Sequence, residues 1–238
     1  KPVFVSGMTG TAVNELVAGT SHTCARLATG AVKCWGANSR GQMGNGQTAD
    51  AKVPVNTQIS GVADLAAGSG HNCAAMTDGT MQCWGENESG QMGSTGALSF
   101  STTPVVVPGL SNVVQVGAGA TSSCARLSNG TVQCLGDNRV GQLGDGTTTN
   151  RNTPAPVSGI SGATQLSVGQ VYACAIVGGA LRCWGDNSSG QLADGTLIYR
   201  SVRADIPGFG NVKAIAGGIG HSCALMNDGT VKCWGSNI

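Results

Sequence analysis

Charge is scarce in this sequence: 11% of its 238 residues are charged, and they balance to a formal net charge of +1. Nucleic acids and anionic membrane surfaces are held by clustered Lys and Arg, so no nucleic-acid partner is expected. Long apolar runs are missing too. None approaches the roughly eighteen residues that span a bilayer, so membrane insertion is not expected. No basic-then-apolar leader stands at Lys1, and the expectation is that any signal peptide has been removed. Apolar residues nowhere recur at helical spacing. G-x-S-x-G, H-E-x-x-H and paired carboxylates at equivalent places are all absent, so the chain is not expected to be an enzyme or to carry a cofactor.

Two residue types are abundant instead: 39 glycines and 10 cysteines. The glycines follow no Gly-X-Y period, so they indicate turns and not collagen. The cysteines disclose a repeat. Cys24, Cys73, Cys124, Cys174 and Cys223 stand 49, 51, 50 and 49 residues apart, and similar sequence surrounds each. The first copy reads VAGTSHTCARLATGAVKCWGANSRGQMGNG, and the third VGAGATSSCARLSNGTVQCLGDNRVGQLGDG. Short β-prone runs alternate with Gly, Asn and Asp turns in every copy. Repeats of about fifty residues, each with room for four short strands, are the spacing of propeller blades. The expected fold is an all-β, five-bladed propeller forming a single domain over residues 1–238. Its repeats fall at about 11–62, 63–112, 113–162, 163–212 and 213–238, the last completed by 1–10. Completion is expected because Pro2-Val3-Phe4-Val5-Ser6-Gly7 matches Pro104-Val105-Val106-Val107-Pro108-Gly109, the end of a repeat. An N-terminal strand pairing with the last blade would close the ring and hide edge strands. The rival reading is a stretch of a longer array.

Each copy carries two cysteines flanking a hairpin. In copies one, two, three and five they are ten positions apart around a three-residue loop ending in Gly; in copy four they are nine apart around Gly178-Gly179. Counting outward from the loop opposes Cys24 to Cys34, Cys73 to Cys83, Cys124 to Cys134, Cys174 to Cys183 and Cys223 to Cys233. Opposed residues of an antiparallel pair are close enough for a disulfide. Structural zinc sites use a closer C-x2-C pairing, and reduced core cysteines need no opposition at all. Five disulfides place the chain in an oxidising compartment: secreted, periplasmic or cell-surface.

The run G-x-x-H-x-C-A-L…G-x-V-x-C-W-G-x-N-x-x-G-Q-L-G-D-G-T resembles the regulator of chromosome condensation (RCC) repeat, and the resemblance covers essentially the whole chain. It implies a propeller; members are typically seven-bladed, and five copies depart from that number. The family's eukaryotic founder is a nucleotide exchange factor for a small GTPase and docks on chromatin. Near-neutral charge and paired cysteines argue against carrying that role over. Secreted bacterial members, one of them an inhibitor of β-lactamases, are the better analogy.

Several repeated positions invite a functional reading. Trp35, Trp84, Trp184 and Trp234 share a site filled by Leu135 in copy three. Leu keeps apolar bulk without a sugar-stacking face, so blade packing is the reading it favours. Gln42, Gln91, Gln142 and Gln191, with Asn38, Asn87, Asn138 and Asn187, are read as satisfying loop backbone. His22, His71 and His221 share a position with Ser122 and Tyr172. A metal site there is weighed and not adopted, for want of carboxylates around it. Asp145-Gly146-Thr147 and Asp194-Gly195-Thr196 are read as turns and not calcium loops.

The copies differ most in the loop after G-Q-[LM]-[GA]. It holds Leu98, Phe100, Ile198, Tyr199 and Arg200, the candidate partner-binding residues, because aromatic and Arg side chains on exposed loops are common anchors. The function read from this pattern is an extracellular protein-binding scaffold. A carbohydrate-binding propeller and an inhibitor of a secreted enzyme are the alternatives.

Overall fold

The computed structural model describes residues 3–93 and 98–237. These residues form five separate antiparallel sheets, one per repeat, each running up and down in chain order. Blade one comprises Val13–Ala18, His22–Leu27, Val32–Gly36 and Ala51–Asn56. Blade two comprises Val62–Ala67, His71–Met76, Met81–Glu86 and Phe100–Val106. Blade three comprises Val113–Ala118, Ser122–Leu127, Val132–Gly136 and Arg151–Pro156. Blade four comprises Ala163–Val168, Tyr172–Val177, Ala180–Gly185 and Arg200–Asp205. Blade five has three strands among the described residues: Val212–Gly217, His221–Met226 and Val231–Gly235.

The central hairpins follow from their turn residues. Gly30 takes φ 78°, and in blade four Gly178 and Gly179 take φ 57° and 79°, the two left-handed steps of a two-residue turn. Both loop lengths preserve one register, which sets Cys24 opposite Cys34 and Cys174 opposite Cys183. All five expected disulfides are present, with Cα atoms 4.1 Å apart in each. In blades one to four the pairing with the outer strand slips between the second cysteine and the glycine of the W-G or L-G step. Gly36 sits at that slip with φ 112°, and a Cβ there would lie 2.5 Å from the Ser21 carbonyl. Only glycine fits that kink.

The core lies between blades. Cys24, Val32, Cys34 and Met43 of blade one meet Val62, Leu65, Ala74, Met76 and Trp84 of blade two, and blades three and four repeat the pattern. Each blade therefore has a forward flank, bearing the disulfide, and a rear flank, bearing the Leu and Trp. Trp84, Trp184 and Trp234 pack against the preceding blade, while Trp35, on the rear flank of blade one, is half-buried. Trp84 and Trp184 are fully buried, and their indole N–H groups donate to the Gln42 and Gln142 carbonyls of the preceding blade.

Among the described residues, no N-terminal strand completes blade five as expected. Residues 3–5 form no strand, and Val3 and Phe4 are 87% and 97% exposed; Lys1 and Pro2 lie outside the described residues. The first and last blades leave their facing flanks uncovered. Among the described residues, inner strands pack successively from blade one to blade five, and the first and last do not share packing of that extent. Leu16 on the rear flank of blade one is 65% exposed, whereas its equivalents Leu65, Val116, Leu166 and Ile215 are 3–6% exposed. On the forward flank of blade five Val231 is 63% exposed, against 0–1% for Val32, Met81, Val132 and Leu181.

Candidate functional site

The up-and-down order gives the propeller two unlike ends. Each inner strand runs towards the end where Gly19, Gly68, Gly119, Gly169 and Gly218 make tight turns, and where the long loops after Gly36, Gly85, Gly136 and Gly185 also emerge. This is the loop end. The hairpin turns lie at the other, the hairpin end.

At the loop end the tight turns surround an axial funnel of about 350 Å³ lined by residues from all five blades, mostly small, with Val168, Gln170 and Ile219 the larger ones. The turns are tied across blades: Ser69 N donates to Gly119 O, Ala120 N to Gln170 O and Gln170 N to Gly218 O. Beneath them lie His22 and His71. His22 Nε2 is 2.9 Å from Asn72 Oδ1, and His71 Nε2 is 2.9 Å from Ser123 Oγ, each across a blade joint. Burial lowers both pKa values, that of His71 to about 3. His221, by contrast, is exposed, and among the described residues no group of three or more His, Cys, Asp or Glu is placed to hold a metal. Tyr172 occupies the same repeat position and does the same work, its hydroxyl reaching His221 O and Ser222 Oγ of the next blade.

The long loops are held from inside. Asn38 donates to Gln47 O and Ala49 O and accepts from Met43 N; Gln42 accepts from Arg40 N. The amides thus satisfy loop backbone, as their repetition suggested. Asp145 and Asp194 cap their own turns by accepting from Thr147 and Thr196. Partial burial pushes Asp194 up, but hydrogen bonds from Thr196, Arg200 and Asn187 outweigh it and bring its pKa to about 2.

One candidate, Arg200, also makes a contact within its own loop. Arg200 Nε lies 2.7 Å from Asp194 Oδ2, and Arg151 pairs with Asp145 in the same way one blade earlier. Arg200 is a brace of its own loop. The other candidates remain at the surface. The strand register sets Ser101 opposite Gly85 and Arg200 opposite Gly185, so Phe100 and Tyr199 stand at one repeat position. Phe100 is half-buried. Leu98, Leu197, Ile198 and Tyr199 are 57%, 68%, 65% and 48% exposed. These apolar tips flank the loop end on either side of blade three.

Sequence reasoning missed the axial contacts of the inner strands. Gln115 Oε1 accepts from Leu166 N and its Nε2 donates to Leu166 O. Gln165 accepts from Ile215 N, and Asp64 from Val116 N. The signal was a repeat column, Glu15, Asp64, Gln115 and Gln165, always nine residues before the first cysteine.

Comparison with known proteins agrees with this architecture. Two profiles described as regulator of chromosome condensation (RCC1) repeat match: one at residues 13–42, 62–91, 113–142 and 212–237, the other at 29–75, 78–126 and 129–176. No curated protein matches. Among solved structures, human WBSCR16 is 22% identical with a TM-score of 0.83; the alignment covers 92% of this chain and 58% of that one. Yeast RCC1 (Prp20), bound to Kap60, is 25% identical with a TM-score of 0.77, covering 94% and 56%. The CRINKLY ectodomain of the Arabidopsis thaliana receptor kinase ACR4 is 21% identical with a TM-score of 0.57, covering 96% and 67%. The chain thus spans little more than half the length of the first two.

Proposed function

Since the chain belongs to the regulator of chromosome condensation (RCC1) repeat family, whose propeller is a protein-interaction scaffold, we propose that it is an extracellular protein-binding module presenting variable loops on a stapled frame. The observation that carries this reading is the exposure of Leu98 on the long loop of blade two and of Leu197, Ile198 and Tyr199 on the equivalent loop of blade four. Apolar and aromatic side chains held outward on braced loops lose little entropy on binding and supply anchors. Five disulfides support an oxidising setting. A protein ligand is in keeping with the relatives: Prp20 is known bound to Kap60, and its binding to Gsp1p and histones has been described. A sugar-binding role has less support, because Trp84 and Trp184 are buried in blade joints.

Oxidative footprinting tests the reading. The labelling of the purified chain is compared with that of the chain in its native secreted medium. Protection of Leu98, Ile198 and Tyr199 in the medium is expected, with Val53, exposed at 52% on an outer strand, labelled equally in both. Unchanged labelling at the three loop residues would refute this reading.

A further inference from the structure

A polar cavity of about 420 Å³ lies at the hairpin end of the axis, remote from the loop face. Asp64 of blade two, Val114, Gln115 and Arg126 of blade three, Thr164 and Gln165 of blade four and Lys213 of blade five line it, Val114 being the one apolar member. Three of these are committed to the fold: Gln115 and Gln165 clasp the next blade, and the Thr164 hydroxyl donates to Ile176 O. The charged residues are not fully used. Asp64 Oδ2 accepts from Val116 N at 2.8 Å, while its second oxygen has no partner among the described residues. Arg126 donates Nε to Gln115 Oε1 and Nη1 to Ala163 O, and its Nη2 has no partner among the described residues. Lys213 is exposed and bonded to nothing among the described residues. The neighbouring charges, Glu15 and Arg26, neutralise each other at 2.8 Å.

We propose that this cavity binds a small amino carboxylate, its ammonium group on Asp64 and its carboxylate on Arg126 and Lys213. The pattern of free atoms selects for both charges in one molecule. A simple anion meets the Asp64 carboxylate, and a simple cation meets Arg126 and Lys213; each is repelled by part of the lining. Charge-assisted contacts at both ends orient a ligand that carries both signs. Asp64 is also conspicuous by its position. Where Gln115 both accepts from and donates to a single peptide group, a carboxylate only accepts.

The titration of Asp64 provides a signature of binding. Burial raises its pKa to about 6, with Glu15 adding to the rise and Val116 N–H, Arg26 and Arg126 opposing it. A ligand ammonium beside it favours the ionised form. Binding near pH 6 therefore converts the carboxylic acid to carboxylate and releases its proton to solvent.

Calorimetry tests this at pH 6 in two buffers of different protonation heat. Glycine and 4-aminobutyrate are the probes, and acetate and methylammonium the single-charge controls. At least one amino carboxylate is expected to bind with proton release, and neither control is expected to bind comparably. Asp64→Asn should weaken binding about tenfold, the effect of one charge-assisted contact, and abolish the proton release. Asn retains the acceptor for Val116 N, so the melting temperature should hold. Lys213→Ala, at an exposed position, should weaken binding while leaving proton release intact. Absence of binding by both amino carboxylates at millimolar concentration overturns the proposal. So does equal binding by acetate, or unaltered affinity in both variants.

Discussion

His71 is fully buried between blades two and three, and burial holds its pKa at about 3 against an ordinary value of 6.5. Between those values the unfolded chain binds a proton that the native imidazole refuses, so acidification below pH 6.5 costs stability. His22 is shifted in the same direction. Asp64 acts oppositely: its pKa is raised to about 6, so the native state takes up its proton first and gains stability as pH falls from 6 towards 3.8. His71→Asn should therefore flatten the acid loss by up to about 1.4 kcal/mol per pH unit, the value of one proton, and Asp64→Asn should steepen it. Chemical denaturation between pH 7 and 4.5 reads both slopes; parallel slopes in all three proteins would contradict the assignment. At this scale the sequence was partly legible. The bond between Arg200 and Asp194 had a sign in the sequence, because Asp145 and Arg151 share the six-residue spacing of Asp194 and Arg200. Burial of His22 and His71 was not legible, because it depends on contacts with a neighbouring blade some fifty residues away.

The elements themselves were the most legible part, because turn chemistry and strand alternation are local. The hairpin loops fixed the opposition of the cysteines, and the two-residue loop of blade four confirmed it by shifting its partner one place to Cys183. Each disulfide closes a loop of about ten residues, worth roughly 2–3 kcal/mol in the chain-entropy account. The five are not equally protected. Cys24, Cys34, Cys73, Cys83, Cys124, Cys134, Cys174 and Cys183 are at most 1% exposed, whereas Cys233 is exposed and Cys223 half-buried. Thiol exchange requires access of the attacking thiolate. A mild water-soluble reductant applied to the native protein should open Cys223–Cys233 before any other pair. Mass spectrometry after alkylation identifies the first thiols released; simultaneous opening of all five would show that global unfolding governs access.

The assembled molecule was the least legible level. Whether the first blade meets the last depends on the angle between successive blades, and no local pattern encodes it; the repeat-ending sequence at Pro2–Gly7 suggested closure that the flanks do not make. The open flanks have a direct energetic consequence. Leu16 and Leu65 occupy the same repeat position, one 65% exposed and the other 3%. Leu65→Ala should cost about 2–5 kcal/mol, and Leu16→Ala less than about 1 kcal/mol; equal costs would mean that Leu16 is covered in solution. Openness at the flanks leaves the loop end intact, since its apolar tips ride on blades two and four, each packed on both sides. The account stands or falls on those tips being the contact surface. The most direct measurement is the affinity of the native partner for wild type and for the Ile198→Asp/Tyr199→Ala double variant, alongside their melting temperatures. The predicted result is a loss of at least about 2 kcal/mol in binding, some thirtyfold, with little change in stability. Undiminished affinity in a folded double variant would place the contact elsewhere and contradict the account.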